Sequence, residues 1–322
     1  MTQPKTMPGN RTNGHGRHRR LSRRERRLRL RRRGRRAYIR SVYFLPSLCT
    51  LGNALCGFGS MYAAFLAILP DNPTTDPLAA MWIGHGFAAA AYLIFLAMIF
   101  DALDGRLARF ARHTTDFGGQ LDSLADVLSF GAAPAFLMLL VFRHDGPQNL
   151  PTVVHRAVWA IGALYVSCAA LRLARFNVSN KHGEQHHFSF LGLPSPGAAS
   201  AVAAVVLMHH ELLNQATESS GNFSSLLSAL AEGCVLILPP IVFCTGLLMV
   251  SSIRYPHLVN RYLRGKRSIT RLVVVVCLAL LLVVAHQYTL GVGAVAYAFW
   301  GAVSYAYFRL RRKIPPIADR DA

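Results

Sequence analysis

Asp101, Asp104, Asp122 and Asp126 place four carboxylates within the run DALDGRLARFARHTTDFGGQLDSLAD, in the most hydrophobic part of the chain. Ionisable groups at membrane depth are costly unless something compensates them, so four together point to a functional site. Asp101 and Asp104 are three residues apart at the end of one apolar run, and Asp122 and Asp126 are four apart at the start of the next. Residues at these spacings share a helix face. Two adjacent helices would therefore each present two carboxylates to one point. Like charges this close do not all stay ionised unpaired, and hard divalent cations such as Mg²⁺ take oxygen ligands and share them with substrate phosphates. A two-metal carboxylate site is the economical interpretation. The plainer alternative is a cytosolic turn with snorkelling arginines and helix-capping aspartates. Gly105 and Gly118 favour the site, because a residue without a side chain lets a ligand approach the backbone. Arg106, Arg109 and Arg112 add fork-shaped donors suited to phosphate.

The elements that must hold these residues are membrane helices. The chain is 52% hydrophobic despite a strongly basic first forty residues, the balance of a polytopic membrane protein with one charged tail. Apolar stretches recur at the roughly 20-residue length that crosses a bilayer. They predict eight spans, at about 43–68, 81–103, 118–142, 157–176, 193–209, 228–250, 271–287 and 289–308. The runs are continuous, unlike the alternating strands of a barrel, so the fold class is an all-α polytopic helix bundle. Glycines and alanines such as Gly52, Gly57, Gly59 and Ala88–Ala91 permit close helix approach.

The tail, residues 1–40, holds a dense series of arginines and one acid, Glu25. Lying directly before a span, it suits anionic lipid headgroups better than nucleic acid, and it is expected to be disordered or to lie on the membrane surface. It is too long and basic for a signal-peptide n-region. Loops rich in Lys and Arg alternate with loops around Pro70–Pro77, His210–Ser225 and Gln287–Tyr288 that carry none. The positive-inside rule then puts both termini and the aspartates in the cytoplasm. The expected organisation is the tail 1–40, a catalytic bundle 41–257, and two further spans with a basic C-terminus, 258–322.

Other polar residues leave two interpretations open. Asn53 lies in an apolar span and must find a partner, either a neighbouring helix or a nucleotide or phosphate. Ser129, three residues after Asp126, either orients an acceptor or satisfies a backbone carbonyl. Pro194 and Pro196 shape the entry to the fifth span. His182, His186 and His187 lack the ligand spacing of a zinc site. The six cysteines lie almost wholly in predicted spans, which argues against a disulfide framework.

The pattern Asp101-x-x-Asp104-Gly105-x-x-Ala108-Arg109, eight residues, then Gly118-x-x-x-Asp122-x-x-x-Asp126 resembles the CDP-alcohol phosphatidyltransferase motif with no position missing. That resemblance implies an integral enzyme of the bacterial inner membrane that moves a phosphatidyl group from CDP-diacylglycerol to an alcohol and releases CMP. It makes Asp101, Asp104, Asp122 and Asp126 the ligands of two divalent cations, Mg²⁺ or Mn²⁺. Asp126 doubles as general base, and Gly105, Ala108, Arg109 and Gly118 line the CDP pocket, where Asn53 is also placed. A homodimer is implied as well. The segments RSVYFLPSLCTLGNALCGFGSM, LRLARFNVSNKHGEQHHFSFLGLPSPGAA and LMVSSIRYPH extend the resemblance to the membrane-embedded phosphatidylserine synthases, from about Arg40 to His257. The expected acceptor is L-serine. Arg172 and Arg175 would bind its carboxylate or a donor phosphate, or else anchor a helix end, and Ser129 joins them as an acceptor contact.

The chemistry fits such residues. Two cations clamp the attacking and leaving oxygens of a phosphoryl centre, and a carboxylate within reach takes the proton of the incoming hydroxyl. The chain has no H-x-K-x-x-x-x-D run of the kind that supplies a histidine nucleophile, which favours a single displacement. The same transfer to glycerol 3-phosphate or an inositol phosphate is the nearest alternative. From another class, a cation transporter would also use intramembrane acids, but it needs them spread through the membrane depth.

Overall fold

The computed structural model describes residues 47–69, 85–111, 116–181, 189–256 and 285–310. The arginine-rich tail, most of the seventh expected span and the histidine loop at 182–188 lie outside the described residues. The chain runs through α1 (Ser47–Leu66) and α2 (Gly86–Ala111). Next, Asp116–Asp126, Val127–Ala132 and Ala133–Asp145 form one continuous helix, α3, with a π-helical turn at its centre. Then follow α4 (Thr152–Lys181), α5 (Ser195–Glu218), α6 (Asn222–Val250) and α7 (His286–Leu310).

Six of these helices, α1 to α6, are long and apolar enough to cross a membrane, and the chain is an integral membrane helix bundle. The expected count of eight spans is not reached among the described residues. Glycines and tyrosines dilute the apolar run of α7, which falls outside the six. The packing shows what solvates the bundle. On α1, Leu48, Leu51, Leu55, Phe58, Tyr62 and Phe65 form an exposed stripe of large apolar side chains, whereas Thr50, Asn53, Ser60 and Ala64 are buried. Large residues outward and small or polar residues inward is the arrangement favoured by a lipid solvent, in which small residues let backbones approach and interior polar groups pair with one another.

Helix α5 is the axle of the bundle. Its alanines, including Ala198, Ala199, Ala201, Ala203 and Ala204, are wholly buried, and α2, α6 and α7 pack around it. The fifth span was expected to end near 209, but α5 continues to Glu218. Hydropathy falls at HHELLNQ, yet those polar groups find partners inside the protein. His209 is 4% exposed; its Nδ1 lies 2.9 Å from the Ala231 carbonyl of α6 and its Nε2 3.0 Å from Asp145 of α3. Both ring nitrogens thus face oxygen acceptors, which ties three helices at one end of the bundle. Glu211 accepts from Gln215 and from Gln287 of α7.

At the other end, the expectation of an all-helical chain holds apart from one short ribbon. Residues Ser189–Leu191 (β1) and Arg254–Pro256 (β2) pair antiparallel, with Phe190 opposite Tyr255. Gly192, at φ 81°, turns the chain out of β1 so that its N–H reaches the Ile253 carbonyl at 2.8 Å. A side chain there would collide with the Met249 carbonyl. The ribbon fastens the start of α5 to the end of α6. The five described cysteines are free.

The tightest helix contact lies between α1 and the π turn of α3. A Cβ on Gly57 would stand 2.5 Å from Ser129 Oγ and 2.7 Å from Ser129 Cα. Ser129 Oγ donates to the Asn53 carbonyl at 2.8 Å, and Tyr165 of α4 donates to the Phe130 carbonyl within the same turn at 3.1 Å. π turns are rare and frequent at functional sites, and this one directly follows Asp126. Gly57→Ala is therefore expected to cost about 1–3 kcal/mol through overpacking against backbone. Gly59→Ala, whose Cβ would meet only Leu93 at 3.5 Å, should be tolerated. Thermal denaturation of the two variants in detergent checks the contrast, and equal midpoints would refute the close approach.

Candidate active site

The last turns of α2 and the first turns of α3 meet at the ribbon end of the bundle. Asp101 of α2 and Asp122 and Asp126 of α3 each bring a carboxylate oxygen within 4.8 Å of the others. Such spacing suits oxygens sharing one cation. Of the four acids expected to face one point, two from each helix, these three lie together.

Asp104 stands slightly aside. Three residues along a helix leave an offset of about 60°, which turns its carboxylate toward α1, where Thr50 Oγ1 donates to Asp104 Oδ2. Asp104 is 6% exposed and remains within electrostatic range of both Asp101 and Asp122. It borders the group of three. Thr50 did not emerge from the sequence. The signal was its position three residues before Asn53, on the same face of α1.

Asn53 is fully buried, and its Nδ2 donates to Asp126 Oδ1 at 3.0 Å. The amide thus joins α1 to α3 and touches the acid cluster with the same bond. Its Oδ1 has no hydrogen-bond partner among the described residues. A buried carbonyl oxygen left unmatched is expensive, and here it belongs to an amide bonded to Asp126, one of the three clustered acids. Ser129 commits its hydroxyl hydrogen to the Asn53 carbonyl, so its role in the structure is to hold the two helices together.

Around this cluster the wall is open on one side and braced on the other. Gly105 is exposed, and a Cβ there would meet nothing within 4 Å, leaving space beside the acids. Gly118 is half-buried in the first turns of α3. Ala108 and Arg109 continue α2, and their side chains lie outside the described residues. On α4, Asn177 Nδ2 donates to Ser123 Oγ at 2.8 Å, bracing the turn of α3 that bears Asp122 and Asp126.

Arg172 and Arg175, both on α4, separate. Arg172 is half-buried, and its Nη1 donates to Ser195 Oγ at 2.9 Å. Its Nε is buried without a partner among the described residues. Its guanidinium interacts electrostatically with Asp126, Asp101 and Tyr297. Arg175, one turn on, is exposed. Ser195 is a second residue that sequence reasoning missed. It lies between Pro194 and Pro196, and the prolines had drawn attention only to the helix entry.

The group is three carboxylates, with Asp104 bordering it and the Asn53 amide bonded to Asp126, and among the described residues it includes no thiol or imidazole. Oxygen donors of this kind suit a hard cation. The acidic group could hold a metal ion, and the residues fit one.

Comparison with known proteins agrees with this chemistry. Over 219 residues the chain is 32% identical to a CDP-diacylglycerol–serine O-phosphatidyltransferase of Helicobacter pylori strain J99, covering 68% of this chain and 74% of that protein. It is 36% identical over 170 residues to the protein of the same name from Methanocaldococcus jannaschii, covering 52% of this chain and 64% of that one. An archaetidylserine synthase of Methanothermobacter thermautotrophicus is 32% identical over 221 residues, 68% of this chain and 72% of that protein. The family model for CDP-alcohol phosphatidyltransferases matches residues 43–238, a stretch that takes in every residue from Thr50 to Ser195 described above, and the chain belongs to that family.

Proposed function

We propose that this protein transfers the phosphatidyl group of CDP-diacylglycerol to the hydroxyl of L-serine, giving phosphatidylserine and CMP by direct displacement. The observation that carries the chemistry is the meeting of Asp101, Asp122 and Asp126 within 4.8 Å beside the unmatched Asn53 Oδ1. The acceptor follows from the relatives, two of which are named as serine transferases and one as an archaetidylserine synthase.

Asp101, Asp104, Asp122 and Asp126 would hold two divalent cations, Mg²⁺ or Mn²⁺. When bound, these supply charge neutralisation at the diphosphate and polarise the phosphorus that is attacked. Asp126 receives the serine hydroxyl proton, and Asn53 orients it by occupying Oδ1 and leaving Oδ2 toward the acceptor. Gly105, Ala108, Arg109 and Gly118 line the nucleotide pocket, with Asn53 at its inner wall. Arg172 meets the serine carboxylate through donors not used by Ser195, and Arg175 and Ser129 stand at the margin of that contact. The bond from the phosphatidyl phosphorus to the bridging oxygen breaks as the new ester forms, and that oxygen leaves with CMP, so no covalent protein intermediate is needed.

The same reading covers the rest of the chain. Residues 41–257 form the catalytic bundle in a bacterial inner membrane, with the aspartates and both termini cytoplasmic. The tail 1–40 rests on anionic headgroups, residues 258–322 add two helices, and two copies associate as a homodimer. Anionic acceptors such as glycerol 3-phosphate or inositol phosphate would call for more basic residues than Arg172 and Arg175 beside the cluster. A cation path is disfavoured because the aspartates gather at one end of the helices. Asp145, about 29 Å further along α3, is bound to His209 at the far end.

Three outcomes are expected from purified protein in mixed micelles. With CDP-diacylglycerol, CMP should form with serine and not with glycerol 3-phosphate or inositol phosphate, stop on chelation, and resume with Mg²⁺ or Mn²⁺; release driven by another alcohol would overturn the acceptor assignment. Asp126→Asn should slow CMP release by about 10²–10⁴-fold, the usual contribution of a general base, while donor binding persists. Normal turnover in that variant would remove Asp126 from the chemistry. Arg172→Ala should raise the serine KM roughly tenfold or more, the scale of a lost charge-assisted hydrogen bond, and change the donor KM less; an unaltered serine KM would make Arg172 an anchor.

A further inference from the structure

Helix α7 lies beyond the stretch matched by the family model, which ends at residue 238, yet it reaches the site. It runs antiparallel to α5. Gly291 packs at Met208, toward the far end, and Tyr297 packs at Gly197, toward the aspartate end. A Cβ on Gly197 would stand 2.9 Å from Tyr297 Cε1, so the ring occupies the space that the glycine leaves free. Gly197 is two residues from Ser195, the residue that receives Arg172 Nη1, and the Tyr297 phenol and the Arg172 guanidinium interact electrostatically. Tyr297, Gly197, Ser195 and Arg172 thus form one packed series from the C-terminal helix to the acid cluster.

We propose that Tyr297 is a positioning residue for Arg172, and that through it α7 sets the affinity for the acceptor's carboxylate. The inference rests on the serine reading above. A guanidinium near Asp101 and Asp126 is drawn toward their charge, and one whose hydrogen bond among the described residues is that to Ser195 is free to swing. The aromatic wall of Tyr297 behind the Ser195 turn, with its phenol within electrostatic reach of the cation, holds the guanidinium back from the acids. Its unmatched Nε then remains available to an incoming carboxylate. A planar fork presented in a fixed orientation loses little freedom on binding a carboxylate, so a loosened fork should weaken acceptor binding and leave donor binding and the chemical step intact.

The test measures serine KM, donor KM and kcat for the full-length protein in mixed micelles. Tyr297→Ala is expected to raise the serine KM about five- to tenfold with the other two constants within about twofold, and Tyr297→Phe, which keeps the wall, should lie between it and the parent. Gly197→Ala, which displaces the ring without removing it, should repeat the rise and covers the case of a Tyr297→Ala protein that does not fold. Trp300→Ala, on the exposed side of α7, should change nothing. In an Arg172→Ala background, Tyr297→Ala should add less than about twofold, as expected for residues acting through one another. An unchanged serine KM, a parallel shift in all three constants, or full additivity with Arg172→Ala would overturn the proposal. Parent protein that releases no CMP with serine overturns the serine reading itself, and this outcome is read from the parent alone.

Discussion

Confining carboxylates at the end of a membrane helix bundle is the constraint on which the rest of this structure depends. Three of them share a space of 4.8 Å, and a fourth lies alongside under Thr50. Two of the four, Asp104 and Asp126, are buried, and like charges repel. The protein answers with fixed dipoles and a cation of its own. An amide from α1 binds Asp126, a hydroxyl from α1 binds Asp104, and Arg172 stands close on α4. None of these saturates four carboxylates, and the residual negative charge marks a group that could hold a metal ion.

Such a cluster keeps its geometry only if the backbones behind it are close and immobile. Small residues make that possible. Gly57 lets α1 lie against the π turn of α3, and the turn is braced through Ser129 to α1 and through Tyr165 to α4. Asp126 immediately precedes the turn, so the contact that packs the helices also sets the direction of the proposed base. At the far end, His209 and Asp145 fasten α3, α5 and α6. The bundle is thereby pinned at both ends, leaving the ligand side near Gly105 open.

Much of this was legible in the sequence because the signals were local. Apolar runs marked α1 to α6, and acids at helical spacing marked the site and the two helices that carry it. What escaped was tertiary. Hydropathy ended the fifth span at His209, since it does not register that His209 and Glu211 have partners on other helices. The ribbon joins residues about 65 apart in sequence, each strand too short to show a period. Thr50, Ser195 and Tyr297 carry no motif, and they became visible only when α1, α5 and α7 were laid against the aspartates. The separation of Asp104 from the other three was in principle readable from helix geometry, because equal membership in a motif does not mean equal orientation.

The most direct test of the cation-holding cluster is the stoichiometry of Mn²⁺ bound to purified protein in the presence of CDP, followed by electron paramagnetic resonance of the free ion. Two ions per chain are expected for the parent protein, with the loss of at least one in Asp122→Asn, whose fold should survive so small a change. Absence of specific Mn²⁺ binding in the parent, or unaltered stoichiometry and affinity in Asp122→Asn, would contradict the assignment of these carboxylates as a metal-binding catalytic centre.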